Sequence, residues 1–134
     1  MRWLIKGDPA DYGFRELERD RRTLWDGIGN ALAQKHLRAM RKGDELLVYE
    51  TGEVRAVVGT ARVAAAPRAD PADPTGKRVA VEIAVGKRLA RPILLAEIKA
   101  DRAFRDFALV RIGRLSVMPV PDELWPRLTG TAEG

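Results

Sequence analysis

Three segments of β-type sequence follow one another through the middle of the chain, with only short connections between them. They are ELLVYE at residues 45–50, AVVGTARVAAA at 56–66 and RVAVEIAVGKRL at 78–89. The third alternates apolar and polar residues, as a strand with one buried face does, and Gly59 in the second predicts a bulge. Short connections favour antiparallel pairing, so the sequence predicts an α+β fold, a small mixed or antiparallel β-barrel with flanking short helices. The βαβ alternation of a doubly wound sheet is missing.

Two further strands are indicated at residues 2–6 and 115–120, which makes five in all. The clearest helix begins after Asn30, a plausible N-cap, and covers residues 31–42 up to Gly43. Its apolar face comprises Leu32, Ala33, Leu37 and Met40. Its polar side comprises Gln34, Lys35, Arg38 and Arg41.

The length of 134 residues is the common size of one compact domain, so residues 1–134 are expected to form a single unit. Residues 67–77 hold three prolines and predict an exposed loop, and residues 129–134 predict a disordered tail. No apolar run approaches the roughly 20 residues of a membrane span, and the N-terminus lacks a secretory signal. We therefore expect a cytoplasmic protein, and we favour a monomer.

Composition narrows the chemistry. The chain has no cysteine, which excludes disulfides, thiol catalysis and cysteine-ligated metal sites. His36 is the single histidine, so a multi-histidine metal site is impossible. The net charge of +5 favours a polyanionic partner such as nucleic acid, although arginine-rich composition alone also produces basic proteins.

The stretch TLWDGIGN at residues 23–30 places a tryptophan and an aspartate ahead of two glycines, which predicts a tight loop. Its glycine pair lacks the third glycine of the dinucleotide fingerprint and does not predict a phosphate loop. Two interpretations of Trp25 remain open, a plug in the core and a binding surface. Asp26 is either a loop cap that accepts from backbone N–H groups or an acceptor for the amino group of a ligand.

GRLSV at residues 113–117 places Arg114 and Ser116 close to the start of the last strand. These residues are either a solvated arginine and a turn serine, or a phosphate contact and a hydrogen bond to a base edge.

Five motifs, in order along nearly the whole chain, resemble the pattern of one family. They are WLIKGDPADY, TLWDGIGNALAQKHLRAMRKGDELLVY, VVGTARV, RPILLAEIKAD and GRLSVMPVPDELW. By this resemblance the chain is identified as a member of the EVE domain family, part of the PUA-like superfamily that includes the thymocyte nuclear protein group.

The resemblance implies a PUA-like β-barrel with flanking helices, related to the YTH readers of methylated adenine in RNA. It implies a module without catalytic activity that takes a flipped, modified base into a pocket, such as a methylated or hydroxymethylated cytosine in DNA or RNA. The positions that match its base-binding residues are Lys6, Trp25, Asp26, Asn30, Tyr49 and Ser116. Phosphate contacts are expected from Lys35, Arg38, Arg41 and Arg114.

The chain departs from the family pattern at two places. The family commonly has an arginine before Asn30, where this chain has Gly29, and histidine and serine after Tyr49, where this chain has Glu50 and Thr51. These changes remove a positive charge and add a negative one where nucleic acid is expected. They predict a difference in affinity or in the choice of ligand.

Two other functions stay open. A general RNA-binding PUA-like module would recognise shape and backbone, without a preference for a modified base. A small-molecule enzyme acting on a nucleoside is disfavoured, because the sequence offers no evident pairing of a nucleophile with a base. Neither a cofactor nor a metal is expected.

Overall fold

The computed structural model describes residues 1–130, which form a mixed sheet with short helices packed on it. The strands in this range are β1 (Arg2–Gly7), β2 (Arg22–Trp25), β3 (Glu45–Glu50), β4 (Ala56–Val63), β5 (Arg68–Ala69), β6 (Val79–Leu94) and β7 (Val117–Pro119). The helices are α1 (Pro9–Tyr12), α2 (Phe14–Asp20), α3 (Ala31–Ala39), α4 (Leu95–Ala100), α5 (Ala108–Arg111) and α6 (Trp125–Thr129). Two 3₁₀ turns cover Arg102–Phe104 and Asp122–Leu124.

The sheet runs in the order β2-β6-β4-β3-β1-β7, and β5 pairs with β6 outside this path. β3, β4 and β6 pair antiparallel, which confirms the prediction from their short connections. β1 pairs parallel with β3, so that Lys6 lies opposite Tyr49. The sheet curls into a half-barrel with short helices around it, and the predicted α+β class is confirmed.

The structure adds two strands, β2 and β5, to the five that the sequence predicts. β2 is where the prediction of a loop at Trp25 is wrong: this residue ends the strand and lies opposite Val81 of β6. A strand of four residues directly before glycines shows no periodic pattern, which explains the omission. The pairing register shifts at Gly59 of β4, as expected for a bulge.

Helix α3 begins at the predicted cap, because the Oδ1 atom of Asn30 accepts a hydrogen bond from the N–H of Ala33 at 2.9 Å. It buries Leu37 against the sheet, as the periodicity indicates. The helix ends at Ala39, earlier than the predicted residue 42, and Met40 is its extended C-cap.

Two residues of α3 contradict the predicted faces. Leu32 is 39% exposed, whereas Gln34 is only 3% exposed. The amide nitrogen of Gln34 donates to the carbonyls of Ile28 and Val79, at 2.8 and 3.1 Å, and its oxygen accepts from the N–H of Val79 at 2.9 Å. A side-chain amide satisfied in this way can be buried at little cost. Gln34 thereby joins the loop before α3 to the start of β6.

The segment at residues 67–77 is mostly exposed, but Asp70 within it is 2% exposed. At the other end of the chain, Thr129 completes α6 and Gly130 caps it with a φ of 76°. The helix and its cap therefore continue two residues into the predicted tail, whose residues 131–134 lie outside the described residues. Within residues 1–130, no helix is long and apolar enough to cross a membrane.

Candidate functional site

Lys6 lies near the carboxyl end of β1, where it lines two neighbouring pockets. Its ammonium donates a hydrogen bond to the carbonyl of Gly113 at 2.9 Å and lies 5.6 Å from the centre of the Tyr49 ring. Burial lowers the pKa of Lys6. An ammonium has three N–H donors, so the contacts among the described residues leave two of them for a ligand.

The first pocket, called the Trp25 pocket below, has a volume of about 370 Å³. Its lining comprises Lys6, Gly7, Asp8, Asp11, Tyr12, Thr23, Leu24, Trp25, Asp26 and Ile28. The rings of Tyr12 and Trp25 meet edge to face, with centroids 6.4 Å apart and planes at 78°. The volume lies within the roughly 300–1,000 Å³ typical of small-ligand sites.

Trp25 combines the two interpretations that the sequence leaves open. Its side chain is 9% exposed and belongs to the hydrophobic core, yet it also lines the Trp25 pocket. A Cβ atom added to Gly7 would lie 3.0 Å from the Cη2 atom of the indole, so a glycine at this position lets β1 approach the ring. The ring is thus held firmly by the fold at the wall of a cavity.

Asp26 follows Trp25 and is exposed at the same pocket. Its carboxylate makes no hydrogen bond or ion pair with any residue of the described range. The loop-cap interpretation is not supported, because the N–H of Gly27 donates instead to Asp70, at 2.9 Å. Asp26 therefore presents an unengaged anionic acceptor beside an aromatic ring.

The second pocket, called the Tyr49 pocket below, has a volume of about 310 Å³ and shares Lys6 with the first. Its lining comprises Lys6, Tyr49, Thr51, Gly52, Arg55, Leu95, Lys99, Leu109, Val110 and Gly113. Tyr49 is 3% exposed, and burial raises the pKa of its hydroxyl, although the positive charge of Arg55 and a hydrogen bond with it oppose the shift. Three cations line this pocket, which suits an anionic ligand such as a phosphate.

Ser116 and Arg114 lie next to the site without lining either pocket. The carbonyl of Ser116 accepts a hydrogen bond from the N–H of Lys6 at 2.9 Å, and this contact sets the GRLSV segment beside β1. The side chain of Ser116 is half-buried, and that of Arg114 is exposed. The structure therefore brings the backbone of this segment to Lys6, at Ser116 and at Gly113, and leaves both side chains outside the two pocket linings.

Asn30 and the basic residues of α3 do not line the Trp25 pocket. The capping bond occupies the Oδ1 atom of Asn30, and this residue lines neither pocket. Lys35 and Arg38 are exposed on the helix, and a guanidinium nitrogen of Arg38 donates to the carbonyl of Lys77 at 2.6 Å. The structure thus assigns Asn30 a capping role and places Arg38 beside the 67–77 loop.

Arg41 follows α3 at the end remote from Asn30. Its N–H donates to Asp44 at 3.0 Å, and Asp44 also accepts from the N-terminal amine and from the indole of Trp3. These contacts place the Arg41 backbone by the start of β1, whereas Lys6 lies near its end. The rise from Arg2 to Lys6 along the strand is about 13 Å. The structure therefore does not bring Arg41 to the pockets.

Glu50, one departure from the family pattern, has a structural role. Its Oε2 atom accepts a hydrogen bond from the N–H of Phe14 at 2.8 Å, at the first residue of α2. A carboxylate at that position complements the positive end of the helix dipole. The half-buried charge of Glu50 is therefore directed at the helix rather than at a ligand.

The site residues that the sequence does not predict include Gly7 and Tyr12, which line the Trp25 pocket, and Asp70, which holds the loop beside it. Tyr12 was within reach, because it ends the first motif and its spacing from Lys6 matches the family pattern. Asp70 carries no such signal, since its partner Gly27 lies 43 positions away in the chain.

The curled mixed sheet with short flanking helices is a PUA-like α+β fold. The chain belongs to the EVE domain family, whose model matches residues 1–130. A search of the curated proteins finds no match.

Solved structures agree with this assignment. A Rhodopseudomonas palustris protein solved by NMR is 34% identical, with a TM-score of 0.91 over 98% of this chain and 92% of its own. A crystal structure from Pseudomonas putida is 32% identical, with a TM-score of 0.90 over 98% and 99% of the two chains. Human THYN1, in complex with 5-methylcytosine-containing DNA, is 23% identical and has a TM-score of 0.91 over 99% and 98%.

Proposed function

We propose that this protein is a nucleic-acid-binding module without catalytic activity that reads a flipped, modified base, namely a methylated or hydroxymethylated cytosine. The observation that carries the proposal is the unengaged carboxylate of Asp26 beside the buried indole of Trp25, in a pocket that Lys6 also lines. The complex of human THYN1 with 5-methylcytosine-containing DNA supports the choice of base.

The chemistry of the Trp25 pocket matches the polar edge of cytosine. A carboxylate accepts from the exocyclic amino group of this base, and Asp26 supplies it. The ammonium of Lys6 donates to the ring carbonyl or nitrogen, which are acceptors. The indole of Trp25 offers an apolar surface on which a base packs. Acceptor, donor and ring therefore lie in one cavity.

The free energy that the pocket can supply is comparable with the cost of extruding a base from a duplex. Extruding a base costs a few kcal/mol, while stacking on an aromatic ring returns about 1–3 kcal/mol. A hydrogen bond to a charged group adds about 1.5–3 kcal/mol, and burial of a methyl group about 0.8 kcal/mol. Because the gains exceed the cost of extrusion by only a small margin, the free energy from one methyl group can decide whether the base occupies the pocket.

The absence of catalysis is part of the proposal, and the position of His36 supports it. This residue lies on α3, with its ring 5.8 Å from that of Trp3, and it lines neither pocket. Burial lowers its pKa, with a further contribution from Lys35. It therefore does not line the pocket that holds the unengaged carboxylate of Asp26, with which a base-and-acid mechanism would have to pair it.

General RNA binding is the second candidate, favoured by the three cations of the Tyr49 pocket. Such a module would bind through phosphates, so its affinity would fall steeply with salt and would not depend on base modification. The two functions differ in the ratio of affinities for modified and plain oligonucleotides.

The test compares Asp26→Asn with Asp106→Asn, a matched loss of charge at a carboxylate that is 84% exposed. Binding to DNA and RNA oligonucleotides with cytosine, methylcytosine or hydroxymethylcytosine is measured by fluorescence anisotropy. We expect Asp26→Asn to reduce binding of the modified base about tenfold or more, and Asp106→Asn to have little effect. Wild-type protein that binds all three bases equally would refute the reader and favour the RNA-binding module.

A second variant tests the role of Trp25. Truncation to alanine removes a buried ring and costs about 3–5 kcal/mol of stability, so Trp25→Ala mixes folding with binding. Trp25→Phe keeps an apolar ring but reduces the stacking surface. We expect it to remain folded by circular dichroism and to lose most of the preference for the modified base. An unchanged preference in the folded variant would exclude stacking on Trp25.

A further inference from the structure

The guanidinium of Arg78 lies against Gly29. A Cβ atom added to Gly29 would be 3.3 Å from Nη2, 3.5 Å from Cζ and 3.7 Å from Nη1 of that guanidinium. The first distance is tight and the other two are ordinary van der Waals contacts, so the planar group covers the place where a side chain of residue 29 would begin. This is the position at which the family pattern carries an arginine and this chain does not.

The guanidinium of Arg78 is not committed to any partner. Within residues 1–130 it makes no hydrogen bond and no ion pair, and the residue is exposed. In contrast, the exposed arginines Arg88 and Arg91 pair with Glu18 and Glu97. Arg78 therefore offers its full set of N–H donors to a ligand.

The loop that carries Arg78 is fixed by backbone hydrogen bonds. The carboxylate of Asp73 accepts from the N–H groups of Thr75, Lys77 and Arg78, at 3.0, 3.1 and 2.8 Å. The carbonyl of Arg78 accepts from the N–H of Asp70 at 2.9 Å, and Asp70 in turn holds Gly27. The position of Arg78 is thus set relative to the Trp25 pocket.

Two further basic residues, Arg38 and Lys77, belong to the same surface as Arg78. Arg38 donates to the carbonyl of Lys77, so Arg38, Lys77 and Arg78 form one basic surface beside Gly29. The carboxylate of Asp73, in the same loop, is occupied by its backbone donors. Gly29 directly follows Ile28, which lines the Trp25 pocket, so this surface is one residue along the chain from the lining of that pocket.

We propose that Arg78 contacts a backbone phosphate next to the base held in the Trp25 pocket, and that residues 70–78 form part of the nucleic-acid interface. This inference rests on the proposed function. A guanidinium binds phosphate through paired N–H donors, and here it supplies from the start of β6 the positive charge that residue 29 lacks.

The test compares Arg78→Gln with Arg102→Gln, an exposed arginine that lines neither pocket. Binding to modified and plain oligonucleotides is measured at several salt concentrations. We expect Arg78→Gln to weaken both about tenfold, as loss of one charge-assisted hydrogen bond does. The slope of log K against log salt falls in magnitude by about 0.9 for duplex DNA or 0.7 for a single strand. An unchanged slope, or equal effects of the two variants, would overturn the inference.

A compensating variant makes the assignment sharper. Arg78→Gln shortens the side chain that covers Gly29, so Gly29→Arg in that background returns a guanidinium to the same basic surface. We expect the double variant to recover most of the affinity and the salt slope. Failure to recover in a folded double variant would contradict the inference. Discrimination between modified and plain bases by wild-type protein reports on the proposed function alone, so the two failures are distinguishable.

Discussion

The carboxylate of Asp70 accepts a hydrogen bond from the backbone N–H of Gly27 at 2.9 Å, and this contact joins two loops that lie 43 positions apart in the chain. Gly27 has a φ of 72°, a conformation that favours glycine. The other oxygen of Asp70 accepts from the N–H of Ala72 at 2.8 Å. Because Gly27 directly follows Asp26, this bond holds the backbone at the Trp25 pocket.

We therefore predict that Asp70→Ala destabilises the protein by about 1–3 kcal/mol, because two hydrogen bonds to a buried carboxylate are lost. Urea unfolding measures the loss, and amide hydrogen exchange should show faster exchange at Gly27 and Ala72. Asp106→Ala is the control, because an exposed carboxylate is expected to change stability by no more than about 0.5 kcal/mol. An equal loss of unfolding free energy in the two variants would show that the hydrogen bond to Gly27 does not stabilise the fold.

Helix α3 shows which structural features a local sequence pattern can predict and which it cannot. Its cap at Asn30 and the burial of Leu37 follow from local patterns, and both are confirmed. Gln34 does not follow, because its burial depends on the carbonyl of Val79, a residue of β6. Local periodicity places a polar residue in solvent unless a distant partner is known.

The same limit applies to the site. Lys6, Trp25 and Tyr49 are indicated by the family motifs, and the structure places them around the two pockets. Asp70 lies in the proline-rich segment at residues 67–77, which has no periodicity, and Arg78 directly follows that segment. Their positions depend on hydrogen bonds between segments far apart in the sequence, which a local pattern cannot encode.

A second prediction concerns Glu50, whose carboxylate caps α2 at Phe14. Glu50→Ala removes the acceptor and should cost about 0.5–2 kcal/mol, in the range of other helix caps. Glu50→Gln keeps an acceptor oxygen and should cost less in the same urea titration. Because the carboxylate faces the helix, we expect Glu50→Gln to leave oligonucleotide affinity nearly unchanged. Stronger binding by this variant would show instead that the negative charge opposes the ligand.

A third prediction concerns pH and Asp73. Hydrogen bonds from the side chain of Thr75 and from the N–H groups of Arg78 and Thr75 lower the pKa of Asp73 to about 2, from an ordinary value of 3.8. A carboxyl group with a lowered pKa stabilises the folded loop above the ordinary value, and this contribution disappears as the pH falls through about 2. The loop should therefore remain ordered at pH 4 and loosen between pH 3.8 and 2.

NMR chemical shifts of the Lys77 and Arg78 amides, followed from pH 5 to about pH 2, measure this transition. The matched control is Asp73→Asn, which lacks the titrating group and should show no corresponding step. A step in the wild-type protein centred above the ordinary value, or the same step in the variant, would contradict the assignment.

The parallel pairing of β1 with β3 has a consequence for how the site can be detected. Lys6 and Tyr49 become neighbours only when two strands separated by α1, α2, β2 and α3 have paired. An unfolded chain has no such site, so a ligand that binds it is linked to the folding equilibrium of the entire domain. At about 100 times its dissociation constant such a ligand stabilises the folded state by about 2.7 kcal/mol. Thermal melting with a panel of oligonucleotides can therefore rank ligands without a label on either molecule.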